Sequence, residues 1–276
     1  MRLRIHHRTE YRYESPPALA LQRLRLHPSD DAYARIVDWR VEVRGTTPQG
    51  TFTDGHGNRT ELHALAHGST AIAITVEGTA ETRLAHGIVS APRQGPDLWL
   101  YGRTTPLTRP TGGIPALAAN VDGSVASLHA LSERIRGAMR YAIGTTGAAT
   151  TAAEALERGA GVCQDHAHAF CAAARWAGVP ARYVSGYLRM DDRVEQDATH
   201  AWAEAHIRDL GWVAFDVSNG ISPDQRYVAL ARGLDYRDAA PVSGIVRTVP
   251  GSETMRVTLR VETLPPSLQS LSQSQG

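Results

Sequence analysis

Apolar and polar positions alternate along much of the first ninety residues. Over residues 2–13 all four arginines fall on one face, and the other face carries Leu3, Ile5, His7, Thr9, Tyr11 and Tyr13. A period of two is typical of a strand with one buried and one solvated face. The alternation recurs over residues 70–76 and over residues 36–44, where the apolar side is Val37, Trp39, Val41 and Val43. With the turn signal at residues 54–58, these patterns predict an antiparallel β-domain over residues 1–90.

The spacing of apolar residues changes to three and four after a segment rich in proline and glycine. We interpret residues 91–123 as a connecting segment and the later spacing as helical. The predicted helices cover residues 128–142, capped by Asp122 or Ser124, residues 151–159, opened by the capping box Thr151–Glu154, and residues 163–177. Alternation then predicts strands over residues 181–190, 200–207, 212–215 and 255–261. We expect a core over residues 124–245, a C-terminal strand region over 246–264 and a disordered tail over 265–276.

Composition excludes several classes of protein. The 276 residues carry a net charge of +1, which gives no field for binding nucleic acid. The chain contains no run of 18 apolar residues that would predict a membrane span. Its first residues also lack the apolar core of a signal peptide. We therefore expect a cytoplasmic protein without nucleic-acid or membrane partners, and the sequence leaves its oligomeric state open. The chain contains no lysine, which excludes chemistry that needs a lysine Schiff base.

The two cysteines differ in their surroundings. Cys163 follows Gly161-Val162 at a predicted helix start, where unpaired N–H groups and the helix dipole favour a thiolate. Cys171 lies on the apolar face of the same helix and is expected in the core. A thiol nucleophile needs a base and a group that orients the base. His200 opens one strand of a predicted hairpin and Asp216 ends the other, so the hairpin is expected to bring them together.

Three blocks of sequence resemble the catalytic blocks of the bacterial transglutaminase-like superfamily. They are Gly161-Val-Cys-Gln-Asp-His-Ala-His168, Thr199-His-Ala-Trp-Ala-Glu204 and Gly211-Trp-Val-Ala-Phe-Asp-Val-Ser-Asn-Gly220. Residues 2–13 and 54–58 also resemble the β-domain that precedes this core in one bacterial branch. The resemblance covers about residues 1–264, and its specificity comes from three ordered blocks rather than from any one of them.

The resemblance implies an α+β fold with a papain-like core, in which the nucleophile helix packs on an antiparallel sheet preceded by an all-β N-terminal domain. It implies a triad of Cys163 as nucleophile, His200 as base and then acid, and Asp216 as orienter. The Cys163 backbone N–H is the natural oxyanion donor, and Tyr141 or Gln164 is a hypothesis for the second. His166 departs from the family pattern, which often has an aromatic residue there.

The activity expected from this triad is acyl transfer through a cysteine thioester, without a cofactor. Hydrolysis of peptide or isopeptide bonds in a peptide or protein substrate is the leading interpretation. Cross-linking, as by a protein-glutamine γ-glutamyltransferase, is the alternative, because an amine can replace water.

Two other classes of function stay open at this point. One is a zinc protein that uses Cys163, His166, His168, His200 and His206, although the spacing matches no common finger. The other is a catalytically idle scaffold whose β-domain binds a partner. Asp165, His166 and His168 are expected to be polar surface residues in the first turns of their helix.

Overall fold

The computed structural model describes residues 1–31, 33–89, 96–247 and 253–265. Most of the expected disordered tail, residues 266–276, therefore lies outside the described residues. The same holds for residues 90–95, which include the start of the predicted connecting segment, and for residues 248–252 of the predicted C-terminal strand region. Within the described ranges, none of the helices combines the length and the hydropathy of a transmembrane segment.

The described chain contains strands, five α-helices and one short 3-10 helix at Leu98–Gly102. The strands are β1 (Arg2–Tyr13), β2 (Leu19–His27), β3 (Ala34–Arg44), β4 (Thr46–Thr53), β5 (Arg59–Leu65), β6 (Ala71–Thr82), β7 (Ile88–Val89), β8 (Arg140–Tyr141), β9 (Ala160–Gly161), β10 (Ala181–Leu188), β11 (Glu195–Gln196), β12 (His200–Ile207), β13 (Gly211–Phe215), β14 (Tyr227–Gly233), β15 (Val242–Arg247) and β16 (Glu253–Leu264). The helices are α1 (Ile114–Leu117), α2 (Val125–Ala138), α3 (Ala152–Arg158), α4 (Cys163–Trp176) and α5 (Tyr236–Ala239).

Two antiparallel sheets form the N-terminal part of the molecule. Their strand orders are β11-β16-β1-β6-β3 and β15-β2-β5-β4. The alternation predicted for β1 is present, because Leu3, Ile5 and Thr9 are buried while Arg4 and Arg8 face solvent. Both sheets include a strand from the C-terminal end of the chain. Strand β16 pairs with β1 along its whole length, from Arg2 opposite Leu264 to Tyr13 opposite Glu253, and β15 pairs with β2.

One prediction for β3 is wrong at its start. Val37 was expected on the apolar side, but it is exposed, and Ile36 packs against the core instead. The cause is a bulge, since the pairing of β3 with β6 shifts register between Ile36 and Asp38. A bulge adds one residue to one strand and so exchanges the faces of the residues beside it.

The third sheet has the order β14-β10-β12-β13-β7 and supports α4. Phe170 on α4 stacks on Phe215 of β13 with ring centroids 5.0 Å apart, and Cys171 is fully buried in the same cluster, as expected. The α+β class, with a helix on an antiparallel sheet after a β-rich N-terminal region, is therefore confirmed.

Helix α2 is shorter than its apolar spacing predicts. It begins after Ser124, whose hydroxyl accepts a hydrogen bond from Ser127 N at 3.1 Å, and it ends at Ala138 rather than at residue 142. Arg140 and Tyr141 instead form β8, which pairs in parallel with β9. This pairing places Tyr141 beside Gly161, two residues before Cys163.

A buried ion network joins the N-terminal region to the third sheet. Glu204 of β12 accepts hydrogen bonds from Arg182 of β10 at 2.5 Å and from Arg232 of β14 at 3.3 Å. Arg232 also donates to Asp31, which lies between β2 and β3, at 2.9 Å. Each buried charge of this network has a partner, so loss of one side chain would leave another charge buried and uncompensated.

Candidate active site

The N-terminus of α4 is fixed by hydrogen bonds to the Asp165 side chain. Val162, at the N-cap, has no side-chain acceptor, so Asp165 Oδ2 reaches back and accepts from Val162 N at 2.8 Å. The hydroxyl of Thr146 donates to the same oxygen at 2.6 Å. Cys163 is thus the first residue of a helix whose entry is tied to Asp165. Its own backbone N–H belongs to the first turn, where N–H groups have no partner within the helix.

Gly161 makes room for this arrangement. A Cβ atom at residue 161 would lie 2.7 Å from the Asp165 Cβ and 2.7 Å from its Oδ2. Contacts that short require the aspartate or the strand to move. Gly161 was noted in the sequence only as a neighbour of Cys163. The structure shows that the position of Asp165 depends on it.

His200 and Asp216 meet at one end of the β12–β13 hairpin. His200 is the first residue of β12 and Asp216 is the first residue after β13, and Ala203 pairs with Phe215 between them. His200 Nε2 lies 2.6 Å from Asp216 Oδ2, and both side chains are buried. The contact expected from the hairpin is present in the structure.

Cys163 is the second group that influences the pKa of this imidazole. Because Asp216 takes Nε2, the ring nitrogen left for the thiol is Nδ1. Burial alone would lower the pKa of His200, but the charge of Asp216 and of a Cys163 thiolate, with their hydrogen bonds, raises it to about 10. The arrangement therefore favours a protonated imidazole beside the Asp216 carboxylate at neutral pH.

Asp216 is surrounded by hydrogen-bond donors. Besides His200, its Oδ2 accepts from Asn219 Nδ2 and from the Tyr227 hydroxyl, each at 2.8 Å. Its Oδ1 accepts from the Ser218 hydroxyl at 2.8 Å and from Asn219 N at 3.2 Å. Burial raises the pKa of this carboxyl, but His200 and the surrounding donors outweigh burial and hold it well below its usual range.

The two candidate oxyanion donors lie in different surroundings. Tyr141 is 53% exposed, and its ring stacks on that of His166 with the ring centroids 6.3 Å apart. Burial of its hydroxyl and the nearby charges of Cys163 and Asp216 raise the pKa of Tyr141 to about 12. The Gln164 amide, in contrast, donates to the carbonyl of Gly147 at 3.4 Å. The structure thus places Tyr141 near the thiol and engages Gln164 elsewhere.

The expectation that Asp165, His166 and His168 are surface residues is wrong. All three are buried. His166 places its ring nitrogens 2.9 Å from the Val162 carbonyl and 3.0 Å from the Met139 carbonyl, and His168 Nε2 accepts from Tyr236 N at 3.0 Å. The physical reason is that α4 is covered by the third sheet, by α1, α2 and α3, and by the segment at Tyr236.

The described residues offer no arrangement for a metal. Within them, no three His, Cys, Asp or Glu side chains are grouped so that they could hold a metal ion, so the five residues of the zinc alternative form no ligand set. A cavity of about 420 Å³ lies elsewhere, between Trp39, His56 and Leu230, and neither Cys163, His200 nor Asp216 lines it.

A cysteine at the start of a helix, packed on an antiparallel sheet that supplies histidine and aspartate from adjacent strands, defines a papain-like fold. Residues 115–217 match the model of the transglutaminase-like superfamily, and residues 3–81 match that of the bacterial transglutaminase-like N-terminal region. The chain belongs to the transglutaminase-like superfamily.

Relatives are similar over nearly the whole chain. An uncharacterized protein of Mycobacterium tuberculosis (strain ATCC 25618 / H37Rv) is 30% identical over 96% of this chain and 93% of its own. An uncharacterized protein of Mycobacterium leprae (strain TN) is 29% identical over 88% of this chain and 92% of its own. A crystal structure from Cytophaga hutchinsonii, described as a candidate cysteine protease, superposes with a TM-score of 0.76. It is 21% identical and covers 97% of this chain and 92% of that one, which shows a shared fold.

Sequence reasoning missed the residues around Asp216. Ser218 and Asn219 had a signal, since a short polar residue after an aspartate often hydrogen-bonds to it in a turn. Tyr227 had none, because its contact depends on how the strands are ordered in the sheet. The roles of Cys163, His200, Asp216, Tyr141 and Gln164 in a reaction stay predictions.

Proposed function

We propose that this protein is a thiol-dependent hydrolase that cleaves amide bonds in peptide or protein substrates through a thioester on Cys163. The observation that carries the proposal is the buried His200, which hydrogen-bonds to Asp216 through one ring nitrogen and whose pKa is raised by Asp216 and Cys163 together. A nucleophile, a base and an orienting group in contact are the geometry that nucleophilic acyl transfer requires.

The first half of the reaction forms the acyl-enzyme. The Cys163 thiolate attacks the amide carbonyl carbon, and the oxygen takes up the negative charge beside the Cys163 N–H at the start of α4. The C–N bond then breaks while the imidazolium of His200 gives its proton to the departing amine. The products of this half are a free amine, a neutral His200 and a thioester on Cys163. Tyr141 is the proposed second donor to the oxyanion.

The second half returns the enzyme to its starting state. Neutral His200 takes a proton from a water molecule, the hydroxide attacks the thioester, and the C–S bond breaks. A carboxylic acid leaves, and the thiolate–imidazolium pair is restored. A primary amine in place of water would give a new amide and thus cross-linking. We favour hydrolysis because water needs no binding site of its own, while an amine acceptor must be held beside Cys163.

A peptide library incubated with and without a primary amine tests the proposal, with products identified by mass. The expected result is shorter fragments with wild type and with Cys171→Ala, whose cysteine is buried in the core, and none with Cys163→Ala. Amine added at glutamine, without fragments, would favour cross-linking. Because the chain contains no lysine, a lysine cross-link would come from substrate alone. Fragments from the Cys163→Ala variant would contradict the proposal.

A further inference from the structure

Three hydrogen-bond donors share one oxygen of Asp216. Oδ2 accepts from His200 Nε2 at 2.6 Å, from Asn219 Nδ2 at 2.8 Å and from the Tyr227 hydroxyl at 2.8 Å. A carboxylate has about four lone-pair sites over both oxygens, so this side of Asp216 is saturated. The carboxylate is also fully buried, and its charge is stabilised by these protein donors instead of by solvent.

Tyr227 is held so that its hydroxyl keeps this contact. It is the first residue of β14 and pairs with Leu188 of β10. Its buried ring packs edge-on against Trp202 at 5.5 Å and lies 6.0 Å from the His200 ring. Burial and the charge of Asp216 raise the pKa of Tyr227 far above its usual range, so the phenol keeps its proton and acts as a donor.

We propose that Tyr227 is a positioning residue of the site, which draws part of the Asp216 charge away from His200 and so keeps the His200 imidazolium able to release its proton. The inference rests on the proposed function, since it takes His200 as the acid that protonates the leaving amine. Donors that share an acceptor divide its charge. A carboxylate that has lost one donor therefore holds the remaining protons more firmly.

The Tyr227→Phe variant removes the hydroxyl and keeps the ring. With one competitor gone, Asp216 should stabilise the imidazolium more strongly, and the pKa of His200 should rise further. A weaker acid protonates the amine more slowly, so we expect kcat on a cleaved peptide to fall about two- to threefold with KM unchanged. Within the described part of the chain, the other titratable or charged groups that act on these side chains are Cys163 on α4, Tyr141 on β8 and Arg226 before β14, and the variant keeps all three side chains.

The pH dependence of Cys163 alkylation by iodoacetate measures the state of His200 without a substrate. An anionic reagent is attracted by the imidazolium, so its rate falls at high pH as His200 loses its proton. We expect this alkaline limb to move upward by about half a pH unit in Tyr227→Phe. A shift of this size corresponds to a fraction of the free energy of one hydrogen bond to a charged group. Asn219→Ala removes another donor to the same oxygen from an exposed residue and should shift the limb in the same direction.

Tyr187→Phe is the matched control. Tyr187 is a buried tyrosine of the same sheet, and its hydroxyl hydrogen-bonds to His7 at 3.0 Å rather than to Asp216. We expect its alkaline limb and kcat to match those of wild type. An alkaline limb that stays in place in both Tyr227→Phe and Asn219→Ala, or that moves equally in Tyr187→Phe, would overturn the role of Tyr227. Failure of iodoacetate to alkylate wild-type Cys163 would instead overturn the proposed function.

Discussion

At the scale of single residues, the charge of Asp216 and the proton of His200 depend on each other. The pKa of His200 is raised to about 10 chiefly because Asp216 and Cys163 oppose the effect of burial. The pKa of Asp216 is lowered because His200 and its other donors oppose burial in the opposite sense. The pair is therefore ionised across the neutral range, and either partner alone would be unfavourable in a buried site.

Replacing Asp216 by asparagine should test this dependence. The variant keeps the size of the side chain but loses its charge, so the pKa of His200 should fall and the imidazole should lose its fixed orientation. We expect kcat to drop by at least about 100-fold with KM nearly unchanged, measured on a peptide that wild type cleaves. Asp209→Asn, at the exposed turn of the same hairpin, should retain wild-type turnover. Unchanged turnover of Asp216→Asn would remove Asp216 from the proposed triad.

Residues that are neighbours along the chain or across a hairpin could be predicted from the sequence. His200 and Asp216 were placed together because a hairpin fixes which strand ends meet. Tyr227 could not be placed, because β14 reaches the site through its pairing with β10 rather than through its position in the chain. The error at His166 and His168 has a related origin. An apolar stripe marks one side of a helix, but it does not show that other elements cover the remaining sides.

At the scale of elements, the start of α4 depends on the fit between Gly161 and Asp165. In Gly161→Ala the new methyl group would press on Asp165, which holds Val162 N and the Thr146 hydroxyl. We expect a loss of about 1–3 kcal/mol in the free energy of unfolding, typical of an overpacked site, and slower alkylation of Cys163. Denaturant unfolding and labelling kinetics measure the two effects.

Gly147→Ala provides the comparison for this change. A Cβ atom at residue 147 meets nothing within 4 Å, so this variant should behave as wild type in both measurements. If the two alanine variants have equal stability and equal labelling rates, then Gly161 does not set the position of the helix start.

The boundary of α2 shows a second limit at this scale. Apolar spacing continues to Ala142, yet Tyr141 leaves the helix because β8 pairs with β9. Parallel pairing between residues twenty positions apart leaves no periodic signal within either segment. This pairing brings Tyr141, a candidate oxyanion donor, to the site. The predicted end of α2 was therefore wrong at the segment that positions this residue.

At the scale of the whole molecule, the N-terminal and C-terminal ends of the chain share sheets. The alternation of β16 was visible in the sequence, but its partner β1 lies some 250 residues earlier. An alternating pattern does not show which strand pairs with which. The described C-terminal strands therefore complete the N-terminal β-region.

Loss of one member of the ion network around Glu204 should be costly, because the charges that remain are buried without their partner. Glu204→Gln leaves Arg182 and Arg232 buried without their shared carboxylate, and we expect a loss of about 3 kcal/mol in the free energy of unfolding. Chemical denaturation measures it. Glu81→Gln, which breaks the exposed pair with Arg35, should cost less than about 1 kcal/mol. Equal costs for the two variants would contradict a structural role for the network.

Two buried histidines should make the protein sensitive to acid. Burial, with a smaller effect of a nearby positive charge, lowers the pKa of His7 to about 4 and that of His168 to about 3. In the unfolded chain both histidines take up a proton near pH 6.5. Their contribution to the free energy of unfolding is therefore complete above that pH, and it is lost as the pH falls toward their pKa values in the folded protein. Each of the two histidines should lower the free energy of unfolding by about 1.4 kcal/mol for each pH unit that the pH falls within that range.

Thermal unfolding between pH 7 and pH 4 measures this slope. His7→Gln should flatten it, while His67→Gln, at an exposed position, should leave it unchanged. A midpoint temperature that does not depend on pH in wild type would contradict the account of the buried histidines.

The most direct test of the central claim is the rate at which iodoacetamide alkylates Cys163 at pH 6. Peptide mapping by mass spectrometry identifies the labelled cysteine in wild type and in His200→Ala. The thiolate–imidazolium pair predicts one adduct, on Cys163, formed at least about tenfold faster in wild type than in the variant. Equal rates in the two proteins, or labelling of Cys171 in place of Cys163, would contradict the assignment of Cys163 and His200 as nucleophile and base.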